Sequence, residues 1–179
     1  MAVDEELPIL TTTELGNLLK NGLRTMFPEQ VWVEGQITGL RIPRAGHVYF
    51  DLIDPPEEPG QPAPAKFSVA MWRGTRAKVE KVLAEAGNLA LENDLQVRIL
   101  VKLDFYVPHG RLQLIMEGID PSFTLGKLAA DRDRLLRALA DEGLIDQNRN
   151  VFLADPPLRV GLVTSIGSAA HADFVTELE

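Results

Sequence analysis

The chain has 179 residues, is 45% hydrophobic and 25% charged, carries a formal net charge of −8 and contains no cysteine. That length holds one good domain and part of a second, and the missing thiols exclude disulfides and thiolate metal sites. No apolar run approaches the roughly 20 residues of a membrane span, and the acidic start Met1-Ala2-Val3-Asp4-Glu5-Glu6 lacks the features of a signal peptide. A cytoplasmic protein with no membrane association is the expectation. The negative charge argues at first against nucleic acid, but it is uneven: −1 over residues 31–118, against −3 over 1–30 and −4 over 119–179.

After a frayed start, Thr11-Thr12-Thr13-Glu14 has the spacing of a capping box, with Thr11 as N-cap and Glu14 three residues on. Leu15, Leu18, Leu19, Leu23 and Met26 follow at helical spacing, with Pro28 just past the end, so a short amphipathic helix is predicted.

From Val31 the period changes to two. Val31, Val33 and Ile37 share one side of a strand with Gly35; Trp32, Glu34 and Gln36 share the other. Val48, Phe50 and Leu52 alternate in a second strand, and Phe67, Val69 and Met71 in a third. Leu95, Val97, Ile99 and Val101 give a fourth, reaching toward Tyr106; Leu112, Leu114 and Met116 give a fifth. Asp54 to Pro64, with five prolines, reads as a mobile loop. Arg73 to Ala86 reads as a helix with Val79, Val82, Leu83 and Ala86 on one side, closing at Gly87.

Five strands with a helix between the third and fourth are the order of an OB-fold, a small Greek-key barrel. An open α+β sheet has a compatible pattern. Beyond the barrel, Leu125, Leu128, Leu135, Leu136 and Leu139 repeat helically, and Gly143-Leu144 is a stop signal. Asp155-Pro156-Pro157 marks a rigid joint. Val160-Gly161-Leu162-Val163-Thr164-Ser165 then reads as a buried strand entering a small-residue turn and a helix, the opening of an α/β unit.

The predicted class is therefore mainly β with α. A helical segment (1–28) precedes the OB-fold barrel (29–120), and a helical linker (121–157) leads to the first βα unit of a truncated α/β domain (158–179). One strand with one helix cannot bury itself, so the bulk of that second domain is expected to lie beyond Glu179.

Trp32, Tyr49, Trp72, Phe105 and Tyr106 lie on or beside the predicted strands, interleaved with Arg41, Arg44, Arg73, Lys102 and Arg111. This mixture suits single-stranded nucleic acid, because every base has a π-face and every linkage a negative charge. Aromatics in strands are equally at home as core or cross-strand partners. Arg41-Ile42-Pro43-Arg44-Ala45-Gly46-His47 falls in the loop between strands one and two, and Tyr106-Val107-Pro108-His109-Gly110-Arg111 in the loop between four and five. OB-folds use these two loops for oligonucleotides. His47, His109 and His171 are too scattered to suggest a metal site. Asp173 lies in the first turns after Thr164-Ser165-Ile166-Gly167-Ser168, where helix amides suit a phosphate and a carboxylate suits acid–base work. An acidic residue near a helix start is also ordinary helix chemistry.

Val31-Trp32-Val33-Glu34-Gly35-Gln36-Ile37, Gly46-His47-Val48-Tyr49-Phe50-Asp51-Leu52 and Ala70-Met71-Trp72-Arg73 resemble, in that order, the N-terminal barrel of the exodeoxyribonuclease VII large subunit family. The resemblance continues from Tyr106 to Gln113, through Glu142-Gly143-Leu144-Ile145-Asp146, and on to Val160-Gly161-Leu162-Val163-Thr164-Ser165. It implies an enzyme that degrades single-stranded DNA to short oligonucleotides from either end. It also implies pairing of the large subunit with several copies of a small helical subunit. Asp173 matches an Asp implicated in the family's catalysis, although Ser168 and Ala172 stand where many members carry Gly and a basic residue. The family's other catalytic residues, and the helical region where the small subunit docks, lie downstream of Glu179. No cofactor is identifiable; a divalent metal is compatible with the sequence but not required by it.

The resulting expectation is single-stranded DNA capture by Trp32, Arg41, Arg44, His47, Tyr49, Trp72, Arg73, Lys102, Tyr106 and Arg111, with Asp173 as a catalytic residue of a domain largely absent. The competing reading from the residues is a non-enzymatic OB-fold adaptor that binds single-stranded nucleic acid or a protein.

Overall fold

The computed structural model describes residues 8–56, 61–152, 156 and 158–178. The expected frayed start, the middle of the proline-rich loop, and Asp155 and Pro157 of the joint lie outside the described residues. The chain divides into two compact units, Met1–Arg134 and Leu135–Glu179.

The first unit begins with α1 (Thr12–Met26). Its capping box forms as its spacing predicts: Glu14 N–H donates to Thr11 Oγ1 at 3.2 Å, and Thr11 N–H donates to Glu14 Oε2 at 2.7 Å. The Thr11 amide, and after it the Thr11 hydroxyl donating to Glu14 Oε2 at 2.8 Å, hold the Glu14 carboxyl below its usual range. Five strands follow, β1 (Val31–Arg41), β2 (Val48–Ile53), β3 (Lys66–Met71), β4 (Gln96–Tyr106) and β5 (Arg111–Ile119). α2 (Arg73–Gly87) sits between β3 and β4, and a single 3₁₀ turn (Val107–His109) joins β4 to β5.

The strands close a barrel in the order β1-β2-β3-β5-β4, with β4 returning to β1. Every ladder is antiparallel except β3 with β5, which pair through Val69 with Leu114 and Ala70 with Ile115. Closure removes the exposed edges that an open sheet would leave. The alternating side chains fill the interior: Ile37, Val48, Phe50, Val69, Met71, Val97, Ile99, Val101 and Met116 are buried, with Val79 and Leu83 of α2 among them. Two expected core residues fall outside it. Phe67 is exposed because β5 pairs with β3 only at residues 69 and 70, and Val82 faces away from the α2 contact. Gly87 ends α2, but the left-handed residue that closes it is Asn88, with φ +55°.

Gly35 lets β1 approach β2: a methyl there would lie 2.7 Å from Leu52 Cγ and 2.9 Å from the Ile53 carbonyl oxygen. α3 (Pro121–Asp141) leaves the barrel directly after β5. Asp120 caps it by accepting from the Ser122 and Phe123 amides, with Pro121 as the first helical residue.

The second unit contains the end of α3, a 3₁₀ turn (Gln147–Asn150) and α4 (Ala169–Leu178). Gly143 adopts φ +69°, and Leu144 N–H bonds back to the Leu139 carbonyl at 2.9 Å, the predicted left-handed stop. The strand expected from Val160 stands without a neighbour among the described residues. Residues 160–165 have no ladder partner among the described residues, and Val160, Leu162 and Val163 are exposed. A parallel strand needs neighbours to satisfy its amides and carbonyls, and none is described beside it. The helix that follows does form, capped by Ser168, whose Oγ accepts from the His171 amide at 3.2 Å.

Candidate nucleic-acid interface

The loop between β1 and β2 is shaped by its own turn and fastened to α2. Gly46 N–H bonds to the Pro43 carbonyl at 2.9 Å, and Gly46 has φ +80°, a region that favours glycine. The Arg73 stem packs over it, with Cδ 3.5 Å from where a Gly46 Cβ would stand. His47 completes the fastening. Trp72 holds the N-cap position of α2 but offers no side-chain acceptor, and the Arg73 amide donates instead to His47 Nδ1 at 3.2 Å. The His47 ring stands edge-on to Trp72, with centroids 5.2 Å apart, and to Tyr49 at 6.5 Å. His47 thus works as an anchor for the loop.

The loop between β4 and β5 is a single 3₁₀ turn closed by Gly110, with φ +58° and its N–H bonded to the Val107 carbonyl at 3.1 Å. Residues three apart eclipse in such a turn, so Tyr106 and His109 stack, with centroids 5.4 Å apart and planes 13° from parallel.

Between these loops, over β2 and β3, lies a cavity of about 280 Å³. Arg41, Tyr49, Asp51, Ser68, Tyr106, His109, Arg111 and Gln113 line it. Arg41 lies opposite Tyr49 across β1 and β2, and Tyr106 opposite Arg111 across β4 and β5. The structure therefore gathers Arg41, Tyr49, Tyr106 and Arg111 around one opening. It adds His109, whose signal was its place three residues after Tyr106 in a Pro-Gly turn.

Among the described residues, Arg41, Arg44, Arg73 and Arg111 have no carboxylate within ion-pair distance. The acid nearest the opening, Asp51, is already held by Lys66 at 2.7 Å and by the Ser68 hydroxyl at 2.9 Å. On other ladders of the barrel Arg98 pairs with Glu34 at 2.8 Å and Asp120 at 3.1 Å, and Lys102 with Glu117 at 3.6 Å, whereas Arg24 of α1 and Lys78 of α2 have no ion pair among the described residues. The Glu34 hydrogen bond raises the Arg98 pKa further, so that guanidinium stays charged.

Trp32 and Lys102 do not line the opening. Trp32 is exposed opposite Leu100 on the β1–β4 ladder, and Lys102 lies opposite Ile115 on β4–β5. Trp72 is exposed and joins the rim through His47. Asp173 is exposed on α4, in the second unit, and has no hydrogen-bond or ion-pair partner among the described residues. No group of three or more His, Asp or Glu side chains among the described residues is arranged to hold a metal ion.

The rim offers a cradle of unpaired guanidinium groups with aromatic platforms and a hydrogen-bonding floor, chemistry suited to the phosphates and bases of a single strand. Comparison with known proteins agrees with the architecture. The large subunit of exodeoxyribonuclease 7 from Pseudomonas savastanoi pv. phaseolicola is 31% identical over 171 residues, 96% of this chain and 33% of that protein. The subunit of the same name from Aliivibrio fischeri is 32% identical over 183 residues, covering 100% of this chain and 36% of its own length. That from Geotalea uraniireducens is 32% identical over 178 residues, 99% of this chain and 36% of the relative. The chain thus spans about a third of the length of the curated relatives it matches. Residues 10–120, the segment from α1 to the end of β5, match the family model described as an OB-fold nucleic acid binding domain. With the closed five-stranded barrel and its helix between β3 and β4, the chain belongs to the family of OB-fold nucleic acid binding domains.

Proposed function

We propose that this chain is the single-strand-capturing part of an exodeoxyribonuclease VII-type large subunit, presenting DNA to a phosphodiester-hydrolysing domain. The observation that carries the reading is the opening over β2 and β3, where Arg41, Tyr49, Tyr106, His109 and Arg111 converge. Similarity to the large subunits along the whole chain supports the nuclease context.

In this reading the guanidinium groups of Arg41, Arg44, Arg73 and Arg111 take phosphates, and Tyr49 and the Tyr106–His109 stack take bases. Asp173 acts in the hydrolytic domain, the small subunit of the enzyme is the protein partner, and the cytoplasm is the compartment. No helix among the described residues is long and apolar enough to cross a membrane.

The test is a titration of the chain with a fluorescent oligothymidylate at several salt concentrations. Binding that weakens steeply with salt is expected, and Arg41→Ala with Arg44→Ala together should lower the affinity. Unchanged affinity in that double variant would reject the loop's role. The isolated chain should hydrolyse no DNA, and Asp173→Asn in a protein of the relatives' full length should lose most turnover with DNA binding retained. Hydrolysis by residues 1–179 alone would remove Asp173 and its missing companions from the account. A chain that binds no oligonucleotide but captures a protein would instead be an OB-fold adaptor.

A further inference from the structure

We infer that α1 sets the position of the β4–β5 loop, and that Gly16 is the positioning residue through which it does so. The consequence for binding rests on the proposed capture of single strands; the mechanical coupling rests on geometry alone.

α1 lies against β4 and against the Val107–His109 turn, and Gly16 is its buried residue. A methyl on Gly16 would stand 2.7 Å from Val107 Cγ1 and 3.5 Å from Val107 Cβ and Cγ2. Valine is stiff about χ1, so Val107 cannot simply turn aside. Glycine weakens a helix interior, yet only glycine allows this approach.

Val107 opens the turn that carries the Tyr106–His109 stack. Where α1 meets Val107 therefore decides where that platform stands over the opening. One helical turn further on, Lys20 pairs with Asp104 at 2.9 Å, two residues before Tyr106, and both side chains are largely shielded. Around these two contacts the helix and loop are otherwise parted by a cleft of about 590 Å³ lined by Leu15, Leu19, Phe105 and Pro108. α1 thus meets the loop sterically at Val107 and ties the end of β4 that leads into it ionically at Asp104.

The test compares the native chain, Gly16→Ala, Val107→Ala and the double variant Gly16→Ala/Val107→Ala. Amide resonances of residues 106–110 read the loop, anisotropy of a labelled oligothymidylate reads binding, and a thermal melt reads the fold. Gly16→Ala should shift the loop resonances and weaken binding about ten- to hundredfold, the loss of one stacking platform. The double variant should return both toward native, because it removes the methyls that the new Cβ meets. A merely stabilising contact would move the melt alone.

Unshifted loop resonances in Gly16→Ala would overturn the proposal, as would a double variant no better than the single. A native chain that binds no oligothymidylate overturns the capture reading, and the resonances then decide the coupling by themselves. If Gly16→Ala does not fold, Lys20→Gln takes its place. Shifted loop resonances there support the coupling, and native-like ones reject it.

Discussion

Arg98 and Asp120 are tied twice: Arg98 Nη1 donates to Asp120 Oδ2 at 3.1 Å, and the Asp120 amide donates to the Arg98 carbonyl at 2.9 Å. The same guanidinium donates to Glu34 through Nε at 3.0 Å and Nη2 at 2.8 Å, and lies 4.6 Å from the centroid of the Phe123 ring. One side chain of β4 therefore joins β1 to the first turn of α3. The helix leaves the barrel at an anchored point.

Asp120 gives the first prediction. Hydrogen bonds from the Ser122 hydroxyl, the Phe123 and Ser122 amides and Arg98 hold its carboxyl below the usual aspartate range, against the opposing effect of desolvation. A lowered native value means stability that is complete above the ordinary aspartate pKa of about 3.9 and is lost as the pH falls through the native value. Asp120→Ala should cost about 1–2 kcal/mol at neutral pH through the lost cap, and Asp120→Asn less, since Asn also caps. Denaturant unfolding at neutral and acid pH checks both. An acid loss as steep in Asp120→Asn as in the native chain would assign that loss elsewhere.

Gly35 gives a prediction about closure of the barrel. Its missing side chain leaves room for Leu52 and the Ile53 carbonyl. Backbone cannot yield as a flexible side chain does, so Gly35→Ala should destabilise by about 1–3 kcal/mol, as overpacking does. A urea midpoint equal to the native one would show that β1 and β2 adjust freely.

The cations should differ in their share of salt dependence. Each phosphate neutralised contributes about 0.7 to the slope of log affinity against log salt for a single strand. Arg41→Ala and Arg111→Ala should each reduce the slope by about that amount, since neither has a carboxylate partner among the described residues. Lys102→Ala should change it less, because Glu117 already faces that ammonium. Equal slopes for all three variants would mean that the pairing pattern does not direct the strand.

Among the aromatics, Tyr106→Ala should remove about 1–3 kcal/mol of binding to an oligothymidylate, the worth of one stacked base. Trp32→Ala should cost clearly less, because Trp32 stands on the β1–β4 ladder rather than at the opening. Isothermal titration of both variants orders them. A larger loss at Trp32 would move the strand's path to the β1–β4 face.

Much of the barrel was legible because its signals are local. The capping box needs only Thr11 and Glu14, three residues apart. The alternation of Val48, Phe50 and Leu52 declares a face whatever the strand pairs with. At Val160 apolar, β-branched residues meet the description of a strand, and no second strand stands beside them among the described residues. Strand character in the sequence is a propensity; a ladder needs a second strand.

The sequence by itself determined the elements and their order, the two loops that frame the opening, and the residue types available to meet a single strand. Tertiary structure decided which of those residues act together. It put Arg41 and Tyr49 beside Tyr106, His109 and Arg111, and left Trp32 on another ladder. It made His47 the anchor of a loop, and set Glu117 against Lys102 while the guanidinium groups at the opening stayed unmatched. The physical reason is range: helix caps and alternation are fixed by neighbours along the chain, whereas ion pairs, ring contacts and barrel closure are fixed by residues that only folding brings near.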